Sequence, residues 1–302
     1  QFDYQSCLCY LQVNFMNQIK QFIELTRLKR PIGYMLLFWP CVWGLTLAYD
    51  FNIQKKIYFF YLIFFFLGAV LMRSAGCIIN DIVDRKYDKE VSRTKNRPIA
   101  SGNVSVKLGL IYAITLCLVA FCVLLNFNFL TIIAAIGSMP LAFTYPYMKR
   151  FTYWPQLFLG ITFNYGLILG WISITNEINL TPIIFYIGAI FWTLGYDTIY
   201  GFQDILDDEI IGLKSTSIKF KKNPQIFLCI TYLIFFVTLM FVGYSMKLNN
   251  FYFVIMILIF FQLFFYQLRK LKIKDSKNCL KIFKSNNFLG ALIFLNLIVG
   301  KI

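Results

Sequence analysis

From Leu108 to Met148 the chain runs for 41 residues without a charged side chain. As one helix this stretch would be about 60 Å long at 1.5 Å per residue, twice the roughly 30 Å of a bilayer's hydrocarbon core. It must turn back, and Asn126 and Asn128 mark the polar place where it does so. Dividing the rest of the chain by the same criterion gives nine crossings: 33–49, 57–79, 108–126, 128–148, 153–175, 180–200, 225–246, 249–268 and 285–300. The composition, 59% hydrophobic and 14% charged, excludes a soluble enzyme, a disordered scaffold and a disulfide-stapled secreted module. The fold class expected is all-α, a polytopic protein of nine transmembrane helices embedded in the lipid bilayer.

With nine crossings the loops alternate between two sides. All but four of the 29 Lys and Arg residues fall on one of them; Lys55, Lys56, Lys247 and Lys301 make up the other side. The positive-inside rule then places the N-terminus and the large loops in the cytoplasm. A bacterial inner membrane is expected, ahead of a mitochondrial one, because no import segment is visible. The whole of 1–302 reads as a single domain, with 1–19 as a flexible tail or an upstream extension. Ile19, Phe22 and Ile23 recur at helical spacing, as in a short helix lying in the membrane interface. The net charge of +15 reflects topology and anionic lipid rather than nucleic acid, and no obligate protein partner is evident.

The chain has no histidine, which excludes histidine-bound zinc or haem and any imidazole base. The eight cysteines show no metal or redox spacing and read as small apolar residues packed between helices. Trp39, Trp43, Trp154, Trp171 and Trp192 read as lipid-facing or interfacial packing.

Acidic residues are few, 14 in all, and nine of them sit in two short segments. One holds Asp81, Asp84, Asp88 and Glu90; the other holds Asp197, Asp204, Asp207, Asp208 and Glu209. Each segment continues an apolar span on the cytoplasmic side, where carboxylates are costly and point to function. Asn80, Asp84 and Asp88 stand at i, i+4 and i+8, and Asp197, Tyr200, Asp204 and Asp208 at i, i+3, i+7 and i+11, so each set lines one helix face. Aligning Asn80 with Tyr200 superposes Asp84 on Asp204 and Asp88 on Asp208, as an internal duplication would, each half giving an acidic helix end to a shared cavity. Stacked carboxylates need a counter-charge. Oxygen-only ligands suit Mg²⁺, which typically combines one or two carboxylates with waters and phosphate oxygens. A diphosphate bridging two such sites fits, with Arg93, Lys95, Arg97, Lys149 and Lys214 available for its remaining oxygens. Asp81 and Asp207 lie off the main faces, and their role stays open.

The segment from Arg73 to Asp88, followed by Ser92-Arg-Thr-Lys-Asn-Arg-Pro98, resembles the first aspartate-rich motif of the UbiA family of intramembrane aromatic prenyltransferases. The segment from Asp197 to Asp208, ending in Gly212-Leu-Lys-Ser-Thr216, resembles the second. Arg30-Pro-Ile-Gly-Tyr-Met-Leu-Leu-Phe-Trp-Pro40 and Tyr145-Pro-Tyr-Met-Lys149-Arg150 look like the 4-hydroxybenzoate branch in particular. The resemblance spans about Glu24 to Phe220. It implies nine helices around a central cavity, a polyprenyl diphosphate held through Mg²⁺, and transfer of the prenyl group to the carbon ortho to the hydroxyl of 4-hydroxybenzoate, in ubiquinone biosynthesis. Lys29 stands where the family often has an acidic residue, a departure that touches the acceptor pocket.

On that resemblance Asn80, Asp84, Asp88, Asp204 and Asp208 are expected to hold metal and diphosphate. Asp197 is expected to hold metal or to position the acceptor. Tyr145 and Lys149 are expected to contact the leaving group, with Tyr200, Arg93, Arg97 and Lys214 around it. Arg73, backed by Arg30, is the expected partner of the benzoate carboxylate. The general base is either a carboxylate or the released diphosphate. Rival readings are a family member with a naphthoate, homogentisate or haem acceptor, and a cation transporter, which would sooner place its carboxylates at mid-membrane.

Overall fold

The computed structural model describes residues 16–51 and 55–302, and these are helical throughout, with no strand among them. Helix α1 covers residues 16–26. It is followed by α2 (Ile32–Ala48), α3 (Lys55–Asp88), α4 (Val106–Leu124) and α5 (Phe129–Thr144). A 3₁₀ turn, Tyr145–Tyr147, leads to the short α6 (Met148–Phe151). Then come α7 (Pro155–Thr175), α8 (Leu180–Gly201), the short α9 (Ile205–Ile211) and α10 (Thr216–Lys219), α11 (Pro224–Ser245), α12 (Asn250–Phe260) and α13 (Ser276–Lys301). A π-helical stretch, Phe261–Leu268, continues α12.

Among the described residues, eight helical segments are long and apolar enough to cross a membrane. The ninth, α2, has 17 residues, about 26 Å, at the short end of what spans a bilayer. The uncharged stretch does fold back: α4 ends at Leu124, and Asn128 caps α5 by accepting from the Thr131 amide. Its amide also donates to the Ile172 and Ser173 carbonyls, at 2.8 and 3.1 Å, tying the turn to α7.

Between helices there is no hydrophobic driving force inside lipid, so close approach through small residues supplies much of the cohesion. Helices α2 and α7 interlock this way. A Cβ at Gly44 would collide with the Leu167 carbonyl, and one at Gly170 with the Cys41 carbonyl. Around this pair Trp43, Phe185, Trp192 and Phe235 form a buried aromatic stack. A buried indole needs an acceptor. Trp43 donates to the Gly290 carbonyl at 3.0 Å and Trp192 to the Asn286 side chain at 2.8 Å, both on α13. The tryptophans therefore depart from the lipid-facing expectation: Trp39, Trp43, Trp171 and Trp192 are all buried. Helices α4 and α5 are the lipid-facing ones, with few buried residues each. Of the cysteines, Cys41, Cys77 and Cys279 pack as expected, while Cys122 is exposed; Cys7 and Cys9 lie outside the described residues.

The helices enclose a cavity of about 1400 Å³. Its polar end lies where α3 and α8 finish; its other walls are apolar, with Leu36, Phe64, Phe65, Leu124 and Phe127 among them.

Candidate active site

Helix α3 runs for 34 residues, about 51 Å, so its last turns continue the apolar span on one rigid axis. Asn80, Asp84 and Asp88 follow one another along it and all line the cavity. The second acidic segment is built differently from the single face expected of it. Helix α8 stops at Gly201, residues 202–204 turn, and Asp204 immediately precedes α9 without capping it by its side chain. Gly201 is pressed against the Ser217 hydroxyl, and the chain leaves α8 there. Asp207 and Asp208 then fall in the first turn of α9, where unpaired backbone N–H groups favour negative charge. Gly212, at φ 77°, closes this short helix in a left-handed conformation suited to glycine.

Asp84, Asp88 and Asp204 are each paired with a cation. Asp84, 1% exposed, accepts from the Lys149 ammonium at 2.5 Å, Lys149 being delivered by the turn and short helix after α5. Asp88 accepts from Arg97 at 2.8 Å. Asp204 receives the Arg93 guanidinium in a fork, with Nε at 2.8 Å and Nη2 closer still, and Arg93 also reaches the Tyr200 hydroxyl at 3.4 Å. Arg93 belongs to the loop after α3, whereas Asp204 and Tyr200 belong to the second segment. One side chain thus spans from one acidic segment to the other, and Ser92 repeats the link by donating to Asp207 at 3.4 Å. Asp208 lines the same cavity. Its partial burial, and then the charge of Asp204, push its carboxyl up to about 6, against the pull of Lys149 and Arg93.

Arg73, Tyr145 and Asp197 form a second group on the cavity wall. Arg73 stacks on the Phe163 ring, 5.3 Å from its centroid, and its buried Nε has no hydrogen-bond partner among the described residues. Asp197 and Tyr145 both interact electrostatically with Arg73. Other expected residues are placed less centrally. Lys214 lines the cavity but gives its ammonium to the Phe151 carbonyl at 3.3 Å and lies over the Tyr153 ring. Arg30 is an exposed residue of the cavity wall, and exposed Lys95 is not among the lining residues.

Three residues of this site carried no assignment from sequence. Asp81, 2% exposed, accepts from Arg27 at 2.5 Å and from Arg97 at 3.1 Å. Arg150 lies over the rings of Tyr87 and Tyr147 and donates to the Val83 carbonyl at 2.9 Å. Its Nη2 is 3.7 Å from Asp84 Oδ1, an oxygen that is buried without a hydrogen bond. For Arg150 the adjacency to Lys149 was the available signal; for Arg27 and Asp81 the signal was only that both are charged residues beside apolar segments.

Whether these residues suit a divalent ion can be tested on their chemistry. No three acids or cysteines converge as a ready-made cage among the described residues. Mg²⁺ does not need one, because it takes only one or two carboxylates and completes its shell with waters and phosphate oxygens. The donors are all oxygens, and Asp84 Oδ1 is a buried acceptor without a donor. The set fits: Asn80, Asp84 and Asp88 on one side, Asp204 and Asp208 on the other.

Comparison with known proteins agrees with this architecture. The chain is 40% identical to a 4-hydroxybenzoate octaprenyltransferase of Vibrio atlanticus over 93% of its own length and 97% of the relative's. It is 39% identical to the human mitochondrial 4-hydroxybenzoate polyprenyltransferase, over 94% of this chain and 76% of that one. Among solved structures, a UbiA homolog from Aeropyrum pernix superposes with a TM-score of 0.74 at 21% identity, over 88% of this chain and 97% of that one. A UbiA homolog from Archaeoglobus fulgidus, bound to GPP and Mg²⁺, gives 0.70 at 18% identity, over 92% and 99% of the two chains. With the signature of the UbiA prenyltransferase family matching residues 37–298 on top of these likenesses, the chain belongs to that family.

Proposed function

We propose that this protein transfers a polyprenyl group from polyprenyl diphosphate to the ring carbon ortho to the hydroxyl of 4-hydroxybenzoate, with Mg²⁺, in ubiquinone biosynthesis. The observation that carries the reading is the meeting of both acidic segments, through Arg93, over one cavity whose remaining walls are apolar. The names of the relatives support the acceptor, and the homolog solved with GPP and Mg²⁺ supports the donor and the ion. The excess of Lys and Arg at the site's end supports an active site on the cytoplasmic side of an inner membrane.

Mg²⁺ would supply Lewis acidity at the diphosphate oxygens, lowering the cost of charge on the leaving group. Asp84, Asp88, Asp204 and Asp208, with Asn80, hold that charge in place. Lys149, Arg93 and Arg97 pair with Asp84, Asp204 and Asp88 and are the cations that would be available to phosphate oxygens. The allylic C–O bond breaks, its electron pair leaving with the diphosphate, and the phenol ring forms the new C–C bond before losing its ring proton to a carboxylate or to the released diphosphate. Arg73, which stacks on Phe163 and whose buried Nε has no partner among the described residues, offers a cation for the benzoate carboxylate. The apolar walls keep water from the allylic cation, which would otherwise be hydrolysed.

Membranes carrying the protein are incubated with labelled 4-hydroxybenzoate, a series of polyprenyl diphosphates and Mg²⁺, with and without chelator. Label should enter a lipid-soluble product only when Mg²⁺ is present. Transfer to a naphthoate, homogentisate or haem acceptor in preference to 4-hydroxybenzoate would overturn the acceptor assignment, and ion flux without any transfer would overturn the reaction.

A further inference from the structure

We infer that Asp81 is a positioning residue and not a metal ligand: together with Arg27 it holds Arg97 so that Asp88 can be released to the metal. The inference rests on the proposed reading in one respect, that Asp88 takes a divalent ion.

Four charged groups form a chain at the end of α3. Arg27 Nη2 lies 2.5 Å from Asp81 Oδ1; Arg97 Nη1 lies 3.1 Å from the same oxygen and 2.8 Å from Asp88 Oδ2. One guanidinium nitrogen, Arg97 Nη1, therefore serves two carboxylates. Asp81 has both of its cations on one oxygen, Oδ1, which is thus already doubly compensated, and it lies off the face that carries Asn80, Asp84 and Asp88. Asp88, by contrast, has a single cation, and that cation is shared.

The backbone supports the arrangement. Arg27 follows α1 and adopts φ 55°, a left-handed conformation that a non-glycine residue holds only when its surroundings fix it. Its carbonyl accepts from the Arg30 amide at 2.8 Å, so the turn that orients Arg27 also starts the approach to α2. Asp81 sits one residue beyond Asn80, off the face of Asn80, Asp84 and Asp88, on the side where Arg27 arrives. The N-terminal segment thus closes one wall of the acidic site, and all four charged groups line the cavity.

The electrostatics give the arrangement a function. Two guanidinium groups face two carboxylates. When an ion claims Asp88, Arg97 keeps a partner in Asp81 and does not stay as a second, competing counter-charge on Asp88. If Asp81 were neutral, Arg97 would have only Asp88, and an incoming divalent ion would have to displace it while also meeting the unpaired charge of Arg27. Outer partners of this kind typically change metal affinity by about 10–100-fold when removed.

The test measures Mn²⁺ binding to the detergent-purified protein, by the EPR signal of the free ion, without substrate. Asp81→Asn should weaken binding by about tenfold or more. Arg27→Gln added to Asp81→Asn should recover most of that loss, since it removes the surplus cation. A loss in Asp81→Asn that the double variant fails to recover would make Asp81 a ligand and overturn the inference, as would unchanged binding in Asp81→Asn. If Asp81→Asn does not fold, the double variant is compared with wild type directly: near-wild-type affinity supports the inference, and a loss as large as that of Asp88→Asn overturns it. Asp88→Asn also isolates the underlying reading. Wild-type Mn²⁺ binding in that variant would remove Asp88 as a ligand, whereas a loss there with no rescue pattern at Asp81 removes only the present inference.

Discussion

Replacing Lys149 with Met leaves Asp84 as a buried carboxylate without its nearest cation. The pair is 2.5 Å apart, with Asp84 at 1% exposure and the Lys149 side chain at 28%. Removing one partner of a buried pair costs about 3–5 kcal/mol, because the survivor keeps its desolvation penalty. Arg150 remains 3.7 Å from the other carboxylate oxygen and compensates in part, which puts the expected cost near the lower limit, about 3 kcal/mol. At about 2–4 °C per kcal/mol for a chain of this order of size, Lys149→Met should melt about 6–12 °C below wild type in detergent without divalent ions. Millimolar MgCl₂ should then restore at least half of that loss, and should stabilise the variant more than wild type, because the ion replaces the missing charge on Asp84. Two results would refute the reasoning. Equal melting of variant and wild type without metal would mean that Asp84 is not an uncompensated buried charge. A clear loss that Mg²⁺ leaves untouched would mean that Asp84 does not take the ion.

The Asp208 carboxyl, pushed up to about 6, is protonated below that pH and ionised above it. Mn²⁺ affinity should therefore be level above pH 7 and fall by up to about tenfold per pH unit below 6, where the proton competes for the same group; EPR titration across pH reads this, and Asp208→Asn should flatten the slope. Gly170→Val, which drives a side chain into the Cys41 carbonyl, should cost about 2–3 kcal/mol and lower the melting temperature, whereas Gly137→Ala, with open space around it, should leave melting unchanged.

The helices were legible because length and polarity decide them: an uncharged run longer than one bilayer must turn, and the turn came at Asn126–Asn128 as the polar residues required. What the spacing could not show is where a helix stops when the next residues would still suit one. Asp197, Tyr200, Asp204 and Asp208 keep helical spacing, yet the chain breaks at residues 202–204, beside the point where Gly201 meets Ser217 of a later element. The tryptophans were misjudged for a similar reason. Trp43 and Trp192 are fit for the interior only because Gly290 and Asn286 on α13 offer them acceptors, and nothing near either tryptophan in the sequence announces that.

At the acidic site, periodicity selects residues by face, and it singles out Asn80, Asp84 and Asp88 while leaving Asp81 aside. Charge balance is the complementary rule, and it works through space. Stacked carboxylates need a counter-charge, which a bound metal would provide. The structure supplies that counter-charge from the chain itself: Lys149 on Asp84, Arg97 on Asp88 and Asp81, Arg27 on Asp81, Arg93 on Asp204. Binding of a metal diphosphate at such a site would then be an exchange of partners and not the filling of an empty charge. Each cation that leaves a carboxylate finds a phosphate oxygen, and each carboxylate that loses a cation gains the ion. Such an exchange is cheap only if no cation is stranded midway, since a buried unpaired charge costs several kcal/mol. Asp81 meets that condition for Arg97. It lies off the face of Asn80, Asp84 and Asp88 and already holds a second cation, which is what the exchange requires.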